Sequence, residues 1–144
     1  MLLAVDVGNT QTVLGLYEGT ELREHYRLAT ESQRTGDELR VLLRSFVDLD
    51  ALEGISISTT VPALLRSYEE LAETIGVPLL SVGPGTKTGV PIRHDAPREI
   101  GPDRIVNAVA AAERYGGPCI VVDFGTSTNF DVLSAAGEYV GGVL

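Results

Sequence analysis

The sequence predicts an α/β fold in which a mixed β-sheet is covered by helices. Apolar stretches with strand-like patterns alternate with segments that have helical spacing, and a short Asp-x-Gly motif occurs at Asp6 and again at Asp123. Strands that alternate with helices along a chain form sheets with helices packed on their faces. The repeated motif further indicates a duplicated unit, with one domain at residues 1–117 and the first hairpin of a second, similar domain at residues 118–144.

The first segments have the patterns of three strands. Leu2 to Val7 and Thr12 to Tyr17 are apolar stretches on either side of Gly8-Asn9-Thr10, and Gly and Asn tolerate the positive φ of a tight turn. Leu22 to Ala29 alternates apolar and polar residues, which is typical of a half-exposed strand. We therefore expect a hairpin followed by a third strand.

Three helices are indicated by their start and stop residues. Thr35 to Glu38 has the spacing of a capping box and precedes leucines at helical intervals. Pro62 suits the first turn of a second helix, for which Gly76 is the stop. Pro102 starts a third helix, which ends at Gly116-Gly117.

Shorter apolar stretches between the helices predict the remaining strands. These are Ile55 to Thr59, Val77 to Val82 and Cys119 to Phe124, while Gly83 to Pro97 contains glycines and prolines throughout and is typical of a loop. The predicted order is β-β-β-α-β-α-β-α, followed by the β-β of the second motif copy.

Composition and charge narrow the function classes. A formal net charge of −9 argues against a general nucleic-acid or anionic-membrane surface, so an anionic ligand must be held locally by backbone N–H groups and a few arginines. The single cysteine, Cys119, allows no internal disulfide and is expected to be a core thiol. No signal peptide or membrane span is indicated, so we expect a cytoplasmic protein.

The first motif has the features of a phosphate-binding turn. Asp6 ends a predicted buried strand, and the ends of such strands are where open α/β sheets place ligands. Gly8-Asn9-Thr10 offers backbone N–H groups and a hydroxyl, which bind phosphate oxygens without net positive charge. A carboxylate beside phosphates requires a cation, so Asp6 would hold Mg²⁺ directly or through water. The alternative is that Asp6 and Asn9 only cap their own turn.

The second motif repeats this arrangement with a different set of donors. Asp123 follows an apolar strand, and Thr126 and Thr128 supply hydroxyls. These donors suit either the far phosphates of a polyphosphate or a monovalent cation, because a carboxylate with nearby carbonyl oxygens suits a hard cation that Asp123 could bind. A simple Asx-turn at a hairpin is the alternative.

A third candidate site lies at the start of the last helix. Pro102 fixes the helix start, so Asp103 and Arg104 project from a rigid first turn. Asp103 could accept the proton of a substrate hydroxyl, and Arg104 could bind a carboxylate or phosphate through two hydrogen bonds. Asp103 could equally be an ordinary acidic residue that interacts favourably with the helix dipole. Together the three sites would suit phosphoryl transfer.

These three motifs resemble those of type III pantothenate kinases. The matching segments are Asp6-Val7-Gly8-Asn9-Thr10, Gly101-Pro102-Asp103-Arg104 and Asp123-Phe124-Gly125-Thr126, in the family's order and at similar spacing, and the loop at Gly83 to Gly89 is also similar. The family belongs to the ribonuclease H-like superfamily of actin, sugar kinases and heat-shock chaperones, in which two similar domains bind ATP. The resemblance implies this actin-like ATPase fold for the N-terminal portion of a longer protein.

The resemblance also implies an activity and a role for each motif. The activity is ATP-dependent phosphorylation of pantothenate to 4′-phosphopantothenate, the first step of coenzyme A biosynthesis, by a homodimer that uses Mg²⁺ and either K⁺ or NH₄⁺. Asp103 would be the catalytic base, and Asp123 would bind the monovalent cation. The substrate residues would be Gly101, Pro102, Asp103 and Arg104. The ATP residues would be Asp6, Val7, Gly8, Asn9, Thr10, Gln11, Thr12, Val13 and Thr126.

The chain departs from the family pattern at His94, where many relatives have a substrate-contacting Tyr, and at Pro102, where many have Ala. Two alternatives therefore stay open. One is a regulatory or nucleotide-binding protein on the same scaffold, and the other is a related kinase for a different hydroxy acid. Retention of Asp103 favours an enzyme, because a protein that only binds needs no base there.

Overall fold

A five-stranded mixed sheet organises the first part of the computed structural model, which describes residues 1–144. Its strands are β1 (Leu2–Val7), β2 (Gln11–Glu18), β3 (Glu21–Ala29), β4 (Gly54–Thr59) and β5 (Leu79–Ser81). The spatial order is β3-β2-β1-β4-β5, with antiparallel pairing among the first three and parallel pairing of β1 with β4 and of β4 with β5. The predicted mixed sheet is thus confirmed, although β5 is shorter than the predicted strand.

Two helices accompany this sheet, α1 (Gly36–Arg44) and α2 (Pro62–Ile75). The helix α2 begins with its proline in the first turn and ends at Gly76, whose φ of 74° is the left-handed conformation that favours glycine. The buried core comprises inward side chains of the strands and apolar residues of both helices, and includes Leu3, Val5, Leu14, Leu39, Leu43, Ile55, Ile57, Leu64, Tyr68 and Leu71.

The capping box predicted for α1 is present. The side-chain hydroxyl of Thr35 accepts a hydrogen bond from the Glu38 N–H at 3.2 Å, and the Glu38 carboxylate accepts one from the Thr35 N–H at 2.8 Å. The backbone hydrogen bond from Thr35 lowers the pKa of Glu38 below its usual value. Two otherwise unpaired N–H groups at the helix start are thereby satisfied.

We expect Thr35→Ala to lower the free energy of unfolding by about 1 kcal/mol, the usual loss for an N-cap hydroxyl. Chemical denaturation of wild type and variant measures the difference. Thr74→Ala is the matched control, because the Thr74 hydroxyl only bonds back to the Glu70 carbonyl within α2. Equal stability of Thr35→Ala and wild type would show that the cap contributes nothing.

A second, three-stranded sheet lies in the last part of the chain. It consists of β6 (Cys119–Phe124), β7 (Thr128–Leu133) and β8 (Tyr139–Val143), joined as an antiparallel meander and packed against α3 (Pro102–Tyr115). The core between them is small and consists of Ile100, Ile105, Ala108, Ala111, Leu133 and Tyr139. Segment 83–96 is a loop, as expected, apart from an isolated bridge between Ile92 and Tyr139, and Pro97 begins a short 3-10 turn that ends at Glu99.

The two motif copies occupy equivalent positions in the two sheets. Each motif follows the first strand of an antiparallel three-stranded meander, β1-β2-β3 in the first sheet and β6-β7-β8 in the second. The sequence predicted only a hairpin for the second copy, so the strand β8 is an addition. It completes the likeness between the two segments and supports the duplication that the motifs indicated.

The chain divides into two compact units, Met1–Ser81 and Val82–Leu144. This division lies earlier in the sequence than residue 117, the predicted end of the first duplicated domain. The reason is that α3 packs against β6 and β7, so it belongs to the second compact unit. The domain boundary after residue 117 remains a prediction about the duplication, which compactness does not test.

The face of the second sheet opposite α3 is apolar and exposed. Alternate residues of β6 and β7 point toward α3, and the intervening ones point away from it. The exposed apolar face is defined by Ile120, Val122, Phe124, Phe130 and Val143, with exposed fractions between 41% and 84%. Exposed contiguous apolar patches of this kind mark surfaces that associate with other proteins, membranes or ligands.

Candidate active site

The predicted site residues form two groups, one in each compact unit. The first group surrounds the turn between β1 and β2. The second group connects the start of α3 with β6 and β7.

Thr30 and Thr60, which directly follow β3 and β4, hold the β1–β2 turn in place through hydrogen bonds. The Thr30 hydroxyl donates to the Gly8 carbonyl at 2.8 Å, and the Thr30 N–H donates to the Thr10 carbonyl at 2.9 Å. The Thr60 N–H donates to the Val7 carbonyl at 3.1 Å. These hydrogen bonds to three carbonyl groups fix the backbone conformation of the turn.

The reason for a glycine in this turn differs from the one expected. No residue of the turn has a positive φ. Instead the Gly8 N–H donates to the Gln11 carbonyl at 2.9 Å, and a Cβ at Gly8 would lie 3.1 Å from that same oxygen. The glycine is therefore favoured by close backbone approach, and the positive-φ argument was wrong.

Asp6 lies at the carboxyl end of β1 with an exposed side chain. It pairs with Ser58 of β4 in the parallel register. A single exposed carboxylate beside a turn of N–H donors fits Mg²⁺, which binds proteins through one or two carboxylates and keeps its waters and substrate phosphates. No group of three or more His, Cys, Asp or Glu side chains gathers into a fuller metal cage anywhere in residues 1–144.

At the start of α3, the carboxylate of Asp103 folds back toward Gly101. A Cβ at Gly101 would lie only 2.5 Å from Asp103 Oδ1, so a larger residue there would displace this carboxylate from its observed position. The side chain of Asp103 is half-buried and accepts no hydrogen bond from another residue of the chain. A carboxylate without a protein partner, held at a rigid helix start, is suitably placed to accept a proton from a ligand hydroxyl.

Arg104, in contrast, is firmly held. Its Nε donates to Asp131 Oδ1 on β7 at 2.7 Å, and its Nη2 is 3.4 Å from the carbonyl oxygen of Phe130. The Arg104 side chain is 18% exposed and that of Asp131 only 1%. The result is a nearly buried ion pair between α3 and the sheet.

A buried tyrosine completes this pair. The Tyr139 hydroxyl donates to the same Asp131 Oδ1 at 2.8 Å. Burial raises the pKa of Tyr139 to about 12, and its hydrogen bond to Asp131 acts in the same direction. Tyr139 therefore remains a neutral hydrogen-bond donor at any physiological pH.

The second motif carboxylate is also bound by α3. Asn107 Nδ2 donates to Asp123 Oδ2 at 2.9 Å. Arg104 and Asn107 lie three residues apart on α3 and so share a face, while Asp123 and Asp131 lie on the same face of adjacent strands. Two polar contacts therefore link the same face of the helix to the two strands.

Asp123 lies beside a turn that carries neutral oxygen atoms. One carboxylate oxygen is engaged by Asn107, and the following turn supplies neutral oxygens, including the hydroxyl of the exposed Thr126. Carboxylate and neutral oxygens are the ligands that hard cations prefer. Thr128 pairs with Phe124 on the opposite face of the sheet, so it does not join this group.

The sequence missed the partners of the site residues. Thr30, Thr60, Asn107, Asp131 and Tyr139 had no predicted role, yet they hold the turn, Asp123 and Arg104. One signal was present for Asp131, because the alternation of β7 places it on the same inward face as Leu133. A charged residue on a buried face requires a charged partner.

Gly142 of β8 leaves space for the ion pair between Arg104 and Asp131. A Cβ at Gly142 would lie 2.0 Å from the Phe130 carbonyl oxygen, 2.3 Å from Arg104 Nη2 and 2.7 Å from Asp131 Oδ1. We expect Gly142→Ala to lower the free energy of unfolding by about 1–3 kcal/mol through overpacking, measured by chemical denaturation. Gly83→Ala is the control, since a Cβ there meets no atom within 4 Å. A fully stable Gly142→Ala would contradict this steric account.

Three residues outside the three motifs, Arg93, His94 and Cys119, make ordinary structural contacts. Arg93 donates to Glu138 at 3.2 Å, and His94 Nδ1 accepts a hydrogen bond from the Ala96 N–H at 3.1 Å. Cys119 is a free, half-buried thiol that packs against the second core. None of the helices has the length and hydrophobicity that crossing a bilayer requires.

Solved structures with the same architecture support the predicted fold. The proposed N-acetylglucosamine kinase PG1100 of Porphyromonas gingivalis matches 99% of the chain with a TM-score of 0.53 at 15% identity, over 47% of its own length. The proposed N-acetylmannosamine kinase Lmo2764 of Listeria monocytogenes matches 96% of the chain with a TM-score of 0.51 at 19% identity, over 48% of its length. At such identities the likeness shows the fold alone, and the predicted actin-like ATPase fold is confirmed.

Sequence comparisons identify the family. The type III pantothenate kinase family model matches residues 2–144. The type III pantothenate kinases of Streptomyces coelicolor and Acidothermus cellulolyticus are each 53% identical to the chain over its whole length, while the chain covers 58% and 59% of their lengths. That of Moorella thermoacetica is 49% identical. The chain thus spans somewhat more than half the length of the curated relatives it matches, and it belongs to the type III pantothenate kinase family.

Proposed function

We propose that the full-length gene product phosphorylates pantothenate to 4′-phosphopantothenate with ATP as the phosphate donor, in the cytoplasm. The observation that carries this proposal is the pair formed by Asp103, which has no protein partner, and Arg104, which is rigidly held beside it. A base and an anion-binding group on one rigid helix turn suit a substrate with both a hydroxyl and a carboxylate. Family membership supports pantothenate as that substrate.

In this proposal Asp103 accepts the proton of the primary hydroxyl of pantothenate. The hydroxyl oxygen forms a bond to the γ-phosphorus of ATP, the bond from that phosphorus to the β–γ bridging oxygen breaks, and ADP leaves. Arg104 binds an anionic group of the substrate, while Gly101 and Pro102 form the backbone beside it. Positioning and electrostatic stabilisation account for most catalysis in this reaction class, and base assistance adds to them.

The nucleotide is assigned to the two glycine turns. Residues 6–13 would bind phosphate oxygens through backbone N–H groups, and Thr126 would contact ATP from the second motif. Asp6 would hold Mg²⁺ through water, and the ion would neutralise phosphate charge. The absence of positively charged side chains in residues 6–13 is consistent with binding by N–H groups and a cation.

Asp123 is proposed to bind K⁺ or NH₄⁺. The support is its single carboxylate, fixed by Asn107 and adjacent to neutral oxygens of the turn. The bound cation would supply positive charge near the nucleotide. We also propose a homodimer, as the family resemblance implies.

A substrate panel tests the proposal. The full-length gene product is assayed for ADP release with pantothenate, with other hydroxy acids of similar size and without any acceptor, in K⁺ and in Na⁺ buffers. We expect the highest kcat/KM with pantothenate and a marked preference for K⁺. Higher kcat/KM with another hydroxy acid would replace pantothenate as the substrate, and nucleotide binding without any transfer would favour a regulatory protein.

A further inference from the structure

We propose that Asp131 is a positioning residue for substrate binding, which holds the guanidinium of Arg104 in the orientation that binds the substrate anion. The inference rests on the proposed function and adds a residue outside the three motifs from which that function was argued. Three observations support it: Asp131 is buried, it contacts Arg104 through Nε, and one of its own carboxylate oxygens has no hydrogen-bond donor.

Only one of the two carboxylate oxygens of Asp131 accepts hydrogen bonds. Its Oδ1 accepts hydrogen bonds from Arg104 Nε at 2.7 Å and from the Tyr139 hydroxyl at 2.8 Å. Its Oδ2 is buried and accepts none. Such an orphaned charged oxygen is unfavourable, so stability alone would favour an apolar residue or a fully satisfied one.

A charge at this position has a specific benefit for Arg104. A charge-assisted hydrogen bond to Nε fixes the plane of the guanidinium more strongly than a neutral acceptor would. The contact uses the inner nitrogen, Nη2 lies near the Phe130 carbonyl, and Nη1 makes no hydrogen bond within the chain. Nη1 thus remains available for an anion, while Nε is bound by Asp131 and Nη2 lies near the Phe130 carbonyl.

Two further residues restrict the same group. Tyr139 holds Asp131 Oδ1 through a hydroxyl that stays protonated. Gly142 leaves only the space that the guanidinium occupies, since a Cβ there would lie 2.3 Å from Arg104 Nη2. Residues of both β7 and β8 therefore restrict the position of the Arg104 side chain. This degree of restraint is expected for a side chain that must meet a ligand in one orientation.

The test uses the full-length gene product and the nearly isosteric variant Asp131→Asn. We expect the KM for pantothenate to rise about tenfold, while kcat changes less than about threefold, because a loss of uniform substrate binding raises KM alone. In an Arg104→Lys background the same substitution should change KM less than about twofold, since residues that act through one another are not additive. An unchanged KM, or effects that multiply in the double variant, would overturn the proposal.

Controls separate positioning from folding. Leu133→Ala removes a buried side chain two residues along the same strand, so it should lower the thermal midpoint without changing the KM for pantothenate. If Asp131→Asn does not fold, Tyr139→Phe removes only the second donor to Oδ1 and should raise KM about two- to threefold. An unchanged KM in that variant would contradict the proposal.

Kinetics of the wild-type protein and of the Asp131→Asn variant distinguish the activity from the role of Asp131. If the wild-type protein does not phosphorylate pantothenate, the proposed function is overturned. If the wild type is active and the folded Asp131→Asn variant has the wild-type KM, only the positioning role of Asp131 is overturned.

Discussion

Replacing Asp103 with asparagine is expected to lower the kcat for pantothenate phosphorylation by about 10²–10⁴-fold in the full-length gene product. Asparagine keeps the shape of the side chain but cannot accept the substrate proton. Because the Asp103 side chain accepts no hydrogen bond from another residue of the chain, the substitution leaves no protein group without its partner, and the loss should appear in turnover rather than in stability. An ADP-release assay measures it.

Nucleotide affinity distinguishes this loss from general damage. The dissociation constant for ATP, measured by calorimetry, should be unchanged in Asp103→Asn within about twofold, because a base that acts only on the acceptor contributes little to nucleotide binding. Asp95→Asn provides a matched control, since Asp95 is an exposed acid in the preceding loop. Wild-type turnover in Asp103→Asn would exclude Asp103 as the base.

The 144-residue chain, purified as it stands, is expected to self-associate through the exposed apolar face of its second sheet. Phe124 is 84% exposed, Ile120 65% and Val143 64%, and they share this face. Burying such side chains is worth about 25 cal/mol per Å² of apolar surface, so covering the face strongly favours association. Light scattering should show species larger than 15.3 kDa.

Charged substitutions on this face test the prediction. Ile120→Lys combined with Val143→Lys should shift the chain toward monomer, because association would then bury two charges. Tyr115→Lys is the matched control: Tyr115 is equally exposed, at 79%, but lies at the end of α3 rather than on this face. A wild-type chain that remains monomeric at high concentration would show that the exposed face does not drive association.

Local patterns were sufficient to predict most of the elements. The capping box at Thr35, the prolines at Pro62 and Pro102 and the glycine at Gly76 fix helix ends through interactions within one turn, so the sequence places them well. The strand β8 was missed because its Gly141-Gly142 pair has low strand propensity. It forms a strand by pairing with β7, and its Gly142 leaves space for Arg104. Both interactions involve residues that are distant in the sequence.

The candidate site likewise combines residues that short local motifs indicate with residues whose contacts depend on distant parts of the chain. Asp103 and Asp123 could be proposed from the sequence because each belongs to a short motif with its own chemistry. Asp131 was not found, since its role depends on a contact with Arg104, twenty-seven residues earlier in the chain. The Gly8 turn was located correctly for a wrong reason, because the close approach of the Gln11 carbonyl requires the folded turn to be seen.

The most direct test of the central claim is to identify the product chemically. The full-length gene product is incubated with ATP, Mg²⁺, K⁺ and pantothenate, and the mixture is analysed by phosphorus and proton NMR. The account predicts a new phosphomonoester on the primary hydroxyl of pantothenate, formed in equal amount with ADP. ADP formed without a phosphomonoester, or no ADP at all, would contradict it.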